Sequence, residues 1–165
     1  MIINTVIKGN GGSGPAGLYR EFEIDGSGNL VSNTTTTHIM DFSQSMKLTL
    51  IGCCAYMYYN NTAISGSIDL SGITEINADN ACNCMFGASS DTTDITAIDL
   101  SNVEKILGTS SCVDMFVHRS GLLGANLEKL VVVSGHGSTS SLAPIYEMFA
   151  RTGLTNINLS SFKRF

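Results

Sequence analysis

Four times in this chain a methionine is followed by an aromatic residue: Met57-Tyr58, Met85-Phe86, Met115-Phe116 and Met148-Phe149. The spacings are 85−57 = 28, 115−85 = 30 and 148−115 = 33 residues. A recurrence of this length marks stacked supersecondary units, none of which buries its apolar side alone. A second ladder keeps nearly the same period, with strand-like segments ending at Phe42, Leu70, Leu100, Val132 and Leu159, at intervals of 28, 30, 32 and 27. From strand end to Met the distance is 15, 15, 15 and 16 residues, whereas from Met to the next strand end it is 13, 15, 17 and 11. The length variation therefore falls in the connections 59–64, 87–94, 117–126 and 150–153. Loops at one place in successive units emerge along one edge of a solenoid, and such insertions often form a binding side.

Within a unit the strand reads apolar-x-x-apolar-x-apolar, as in Ile95 to Leu100, Leu127 to Val132 and Leu154 to Leu159. The last two apolar positions alternate as a half-buried strand requires. Ile73 with Ile76, and Val103 with Ile106, then stand at helical i, i+3 spacing. A short helix or turn is expected there, followed by an inward Cys-x-x-Met-aromatic segment carrying Cys54, Cys82 and Cys112. The expected fold class is an α/β solenoid, a stack with a parallel sheet and short helices or turns opposite it.

The strings Ile68-Asp-Leu-Ser-Gly-Ile73 and Ile98-Asp-Leu-Ser-Asn-Val103, each followed by a Met-Phe pair, resemble the BspA-like class of bacterial leucine-rich repeats over roughly residues 37–162. The resemblance implies a right-handed leucine-rich-repeat-like stack with its parallel sheet on the concave side. It also implies a mostly non-catalytic surface or adhesion role. The chain departs from the commoner leucine-rich consensus, because Ile73, Val103, Gly135 or Phe162 stands where Asn or Cys is expected. The overall layout, with a Gly-rich leader, a hairpin and Met-aromatic repeats, is similar to that of small proteins encoded in gut bacterial prophage regions. That likeness implies a virion-associated member.

Residues 1–36 do not follow the repeat and form a separate N-terminal leader and cap, with 37–165 as a solenoid of about four to five units. Tyr19 to Ile24 and Asn29 to Ser32 flank Asp25-Gly-Ser-Gly28, a hairpin pattern that would cover an open solenoid end. The Gly9-Asn-Gly-Gly-Ser-Gly14 segment lacks the Lys-Ser/Thr of a phosphate loop and is followed by Pro15, so it reads as a linker. No basic leader with a long apolar stretch is visible, and no run approaches the ~20 apolar residues of a membrane span. The expectation is synthesis in a cytoplasm without a signal peptide, display on a virion or cell surface, and no membrane insertion.

Composition narrows the partners. Charged residues make up only 14% of the chain, against ~25% in ordinary domains, so Ser, Thr, Asn and Gly must cover much of the surface. A net charge of −5 offers no basic patch for phosphates, and nucleic acid is not an expected partner. The five cysteines lack paired CxxC spacing and read as buried free thiols. Neither a metal nor another cofactor is expected.

The residue between the last two apolar strand positions faces away from the core, and successive units supply Asp41, Asp69, Asp99, Val131 and Asn158. Parallel strands lie ~4.8 Å apart, so the carboxylates must be hydrated, hydrogen-bonded or bridged. The simplest partner for each is the Ser two residues on: Ser43, Ser71 or Ser101. The histidines His38, His118 and His136 share no repeat position, and no Gly-x-Ser-x-Gly elbow occurs. Candidate binding residues are therefore Asp41, Asp69 and Asp99 on the sheet, and His118, Arg119, Leu122 and Leu123 in connection 117–126. The expected function is a non-enzymatic protein- or glycan-recognition or structural module, with self-association through an open solenoid end as a further expectation. The alternative is a carbohydrate-active solenoid enzyme using the acidic column. A deep cleft with two convergent carboxylates would favour the enzyme, and a flat sheet with solvated Asp residues the module.

Overall fold

The structure, a computed structural model, describes residues 23–24, 30–37, 39–135 and 143–163. The Gly-rich segment, His38 and His136 lie outside the described residues. The expected hairpin is present as β1 (Glu23–Ile24) paired antiparallel with β2 (Leu30–Val31).

The remaining strands build two parallel sheets that share one core. One contains β3 (Met46–Leu48), β5 (Ile73–Asn77), β7 (Lys105–Leu107) and β9 (Val132–Ser134), stacked in that order. The other contains β4 (Gly66–Asp69), β6 (Ile95–Asp99), β8 (Gly124–Asn126) and β10 (Asn156–Asn158). Each coil contributes one strand to each sheet, which makes the chain a parallel β-solenoid of about four turns.

No helix occurs among the described residues, so the expected α/β character with short helices is corrected. The cause is a register shift. Met46 pairs with Ile73 and Lys47 with Glu75, which leaves Thr74 as an extra residue. Gly66 likewise pairs with Ile95 and Ser67 with Ala97, which leaves Thr96. An extra residue turns two inward side chains from i, i+2 to i, i+3, so Ile73 and Ile76, or Ile95 and Ile98, are both buried from a strand. Their spacing is indistinguishable from one helical turn.

The third side of each coil is a ribbon of consecutive turns, at residues 51–60, 79–86, 109–118 and 144–151. Its N–H groups alternate in direction. Those of Gly52, Cys54, Tyr56, Tyr58 and Asn60 donate to carbonyls of the next coil, at Asp79, Ala81, Asn83, Met85 and Gly87. Those of Cys53, Ala55, Met57, Tyr59 and Asn61 donate back three residues. A helix would consume all of these donors internally, whereas the ribbon uses half of them to stitch the coils together. The geometry places every fourth residue at positive φ: Tyr56 and Asn60, Asn80 and Cys84, Ser110, Asp114 and His118, and Glu147 and Arg151.

The Met-aromatic pairs are the inward residues of this ribbon. Tyr58, Phe86, Phe116 and Phe149 form a continuous stack with successive ring centroids 5.3, 5.6 and 5.8 Å apart. Cys54, Cys82 and Cys112 lie in the neighbouring column, and all five cysteines are buried and outside any disulfide. At the first coil, Asn61 is buried and fully bonded. Its Nδ2 donates to Asn33 O and Thr36 O, and its Oδ1 accepts from Ala63 and Ile64 N–H, which fastens residues 33–36 over that end.

One register expectation is corrected. Val132 does not end a strand in the series of Leu70 and Leu100, because it opens β9 in the other sheet. Leu127 takes that place: Leu70 N–H donates to Asp99 O, Leu100 to Asn126 O and Leu127 to Asn158 O. The strand before it, Gly124-Ala125-Asn126, has little intrinsic β-preference and is held by its neighbours β6 and β10. From Met115 to Leu127 is therefore 12 residues and from Leu127 to Met148 is 21, so the longest insertion falls near 136–142, outside the described residues.

Candidate functional site

The outer face of the β4-β6-β8-β10 sheet carries two side-chain columns. With the corrected register, the first runs Asp69, Asp99, Asn126 and Asn158, since Asp69 pairs with Asp99, Asp99 with Asn126, and Asn126 with Asn158, while Asp41, outside any strand, is near enough to Asp69 for its charge to act on that carboxyl. Val131 is replaced by Asn126. The signal was in the sequence as an Asx-apolar ladder, Asp41-Phe42, Asp69-Leu70, Asp99-Leu100, Asn126-Leu127 and Asn158-Leu159, which needs no strongly apolar strand to be followed.

Each acidic residue is tied to its own turn. Asp41 Oδ1 accepts the Ser43 N–H at 2.8 Å, Asp69 Oδ1 that of Ser71 at 2.9 Å, and Asp99 Oδ1 that of Ser101 at 2.8 Å. Asn158 repeats the pattern with Ser160 at 3.2 Å. These Asx turns end the strand and start the corner into the other sheet, where Val103 N–H donates to Leu100 O and Leu130 N–H to Leu127 O. The corner at Gly72 admits no side chain, because a Cβ there would lie 2.0 Å from Phe42 O. Hydrogen bonds from Ser43 and Ser71, hydroxyl first and then backbone N–H, hold the Asp41 and Asp69 carboxyls below the ordinary carboxylate value. Both are ionised at neutral pH.

The second outer column is small: Ser67, Ala97, Gly124 and Asn156. Where Ala97 and Gly124 lack bulk, a depression of about 260 Å³ opens, lined also by Asn126, Asn156 and Asn158. Asn158 Nδ2 donates to Asn126 Oδ1 at 3.1 Å, so the floor ends in a short amide ladder. A larger hollow of about 530 Å³ lies at the opposite corner, between the turn ribbon and the other sheet, with one or more residues from each coil: Thr49, Asn77, Leu107 and Ser134 among them.

The residues expected in connection 117–126 do not act together as a surface. Arg119 is buried, with Nε donating to Phe86 O at 2.6 Å and Nη1 to Asp94 Oδ2 at 2.7 Å and Thr92 Oγ1 at 3.0 Å. Burial lowers its pKa and Asp94 opposes that shift. Arg119 therefore joins one coil to the one before it, from inside. Leu122 is buried as well, whereas Leu123 is 53% exposed. His118 Nδ1 lies 2.7 Å from Asp91 Oδ1 on the outer ribbon. The pair Leu122-Leu123 thus straddles the wall just before β8, one side chain in the core and one outside.

Asp114, not singled out by the sequence, has its carboxyl pushed up by burial and by Glu147, with His118 opposing the shift. Its Oδ1 is buried without a hydrogen-bond partner among the described residues. No group of three or more His, Cys, Asp or Glu among the described residues is arranged to hold a metal ion. No described helix is long and apolar enough to cross a membrane. Comparison with family models, with curated proteins and with solved structures returned no match to this chain.

Proposed function

We propose that this solenoid is a non-catalytic recognition module of the BspA-like, leucine-rich kind, displayed on a bacterial surface or a virion, and that it binds protein or glycan through the outer face of the β4-β6-β8-β10 sheet. The observation that carries the reading is the state of the acidic column. Its carboxylates stand on an open sheet face, each engaged by the N–H of a nearby serine, and those of Asp41 and Asp69 are held low. Glycoside hydrolysis needs one carboxyl raised enough to donate a proton, and low, solvated carboxylates do not supply it. The adjoining depression offers amides that both donate and accept, beside a floor of Ala97 and Gly124 on which a flat group can rest.

Screening the full chain against protein and glycan arrays tests the reading, with Ala97→Lys as the comparison because it fills the depression from an outward position. A partner bound by the wild type is expected to be lost, at least tenfold, in Ala97→Lys. A partner retained by both Ala97→Lys and Asp69→Asn would put the site elsewhere, and turnover of any bound glycan would overturn the non-catalytic assignment.

A further inference from the structure

The two ends of the stack differ. At the first coil the inward residues Leu48, Met57, Tyr58 and Phe42 are all at most 1% exposed, with residues 33–36 fastened above by Asn61. At the last coil the same columns stand open. Ile68, Ile98 and Ala125 are 2%, 3% and 6% exposed, but Ile157, next in line, is 40% exposed. Leu70, Leu100 and Leu127 are 0%, 0% and 2% exposed, but Leu159 is 38% exposed. Beyond β10 no further strand is paired among the described residues.

The outward columns also lose their charge toward this end. In one sheet the series is Lys47, Glu75, Lys105 and then Val132, and in the other Asp69, Asp99 and then Asn126 and Asn158. Edge strands that must stay single are usually guarded by charge, Pro or a bulge, and β10, Asn-Ile-Asn, carries none of these.

We propose that β10 is a dimerisation edge, occupied by β10 of a second copy of this chain in an antiparallel, two-fold pairing centred on Ile157. A contact between like ends closes at two copies, whereas head-to-tail stacking would continue into a filament. The sequence of β10 is self-complementary under that operation. Ile157 meets its own mate, and Asn156 stands opposite Asn158 in both directions, each amide able to donate and accept. An aspartate at position 158, as at Asp69 and Asp99 in the inner coils, would have no amide hydrogen to donate to Asn156 of the mate and would place two carboxylates diagonally across the seam, about 7–8 Å apart. The pairing covers Ile157 and Leu159 and joins two outer sheet faces into one continuous sheet, a consequence independent of what that face binds.

Sedimentation of the full chain over a wide concentration range tests this. The expected result is a species of 2 × 17.5 = 35 kDa that dissociates on dilution to 17.5 kDa. Ile157→Lys and, separately, Asn158→Asp are each expected to weaken the dimer at least tenfold. Far-ultraviolet circular dichroism should stay unchanged, since both side chains are already exposed in the single chain. Should Ile157→Lys perturb folding, Asn158→Asp decides alone. A wild type that stays at 17.5 kDa, a dimer indifferent to Asn158→Asp, or growth into long polymers would each overturn the proposal.

Discussion

Replacing Phe116 by alanine is expected to cost about 3–5 kcal/mol, the range for a large aromatic removed from a closed core. Phe116 is fully buried in the ribbon column, stacked on Phe86 at 5.6 Å with an interplanar angle of 2° and on Phe149 at 5.8 Å and 7°. Its loss leaves a cavity that coils on both sides border, and their backbones are fixed: Phe86 N–H donates to Met115 O and Phe116 N–H to Met148 O. The site has little freedom to collapse, which favours the upper part of the range. Each stacked pair adds about 0.5–1.5 kcal/mol beyond area burial, so two such contacts disappear together. Urea denaturation measures the change, and a loss below about 1 kcal/mol would remove the ring stack from the core.

Asp94→Ala is expected to be nearly as damaging, about 3–5 kcal/mol, because it leaves a buried guanidinium without its counter-charge. The side chains of Arg119 and Asp94 are 1% and 13% exposed, so water cannot fully replace the lost carboxylate. Removing both charges should hurt less than removing one. Asp94→Ala combined with Arg119→Met is expected to recover part of the loss, with the unpaired Phe86 carbonyl accounting for what remains. If the double variant is less stable than Asp94→Ala, the pair contributes through packing or hydrogen bonds and not through charge compensation.

Arg119 shows where a sequence reading meets its limit. A lone arginine in a charge-poor chain, beside His118 and a Leu pair, reads as a surface feature, since arginine is seldom buried without a partner. Its partner Asp94 lies 25 residues earlier, and only stacking at the coil period brings the two together. The Met-aromatic ladder was legible because large apolar residues recur at one inward position whatever the ribbon geometry. The ribbon was legible only as a short helix or turn, since positive φ at Tyr56, Cys84 and Glu147 follows from inter-coil hydrogen bonding and leaves no trace in side-chain type at those positions, although Asn60, Asn80, Asp114 and His118 are types that tolerate it. The bulged strand β5 was misread because a single extra residue at Thr74 imitates helical spacing, whereas β6, with its extra residue at Thr96, was read as a strand from the alternation of Ile98 and Leu100. In β8 the opposite happened: a true strand, Gly124-Ala125-Asn126, was passed over for the more apolar residues 127–132, which put Val131 in the outward column in place of Asn126. On the candidate site, the acidic half of the column and its serine partners were legible from the Asp-Leu-Ser spacing. Of the amide half, Asn158 was placed by its strand Leu154 to Leu159, whereas Asn126 was legible only once Asn and Asp were treated as equivalent ends of a strand.

The parallel stack underlies the site, the ion pair and the open end alike, and nuclear Overhauser contacts between strands test it most directly. Backbone amide and α-proton contacts are expected between Asp69 and Asp99, Asp99 and Asn126, and Asn126 and Asn158, and in the other sheet between Ile76, Ile106 and Val133, all in the parallel pattern. Contacts joining Asp99 to Val131, an antiparallel pattern between any of these segments, or helical i, i+3 contacts across residues 73–77 would contradict it.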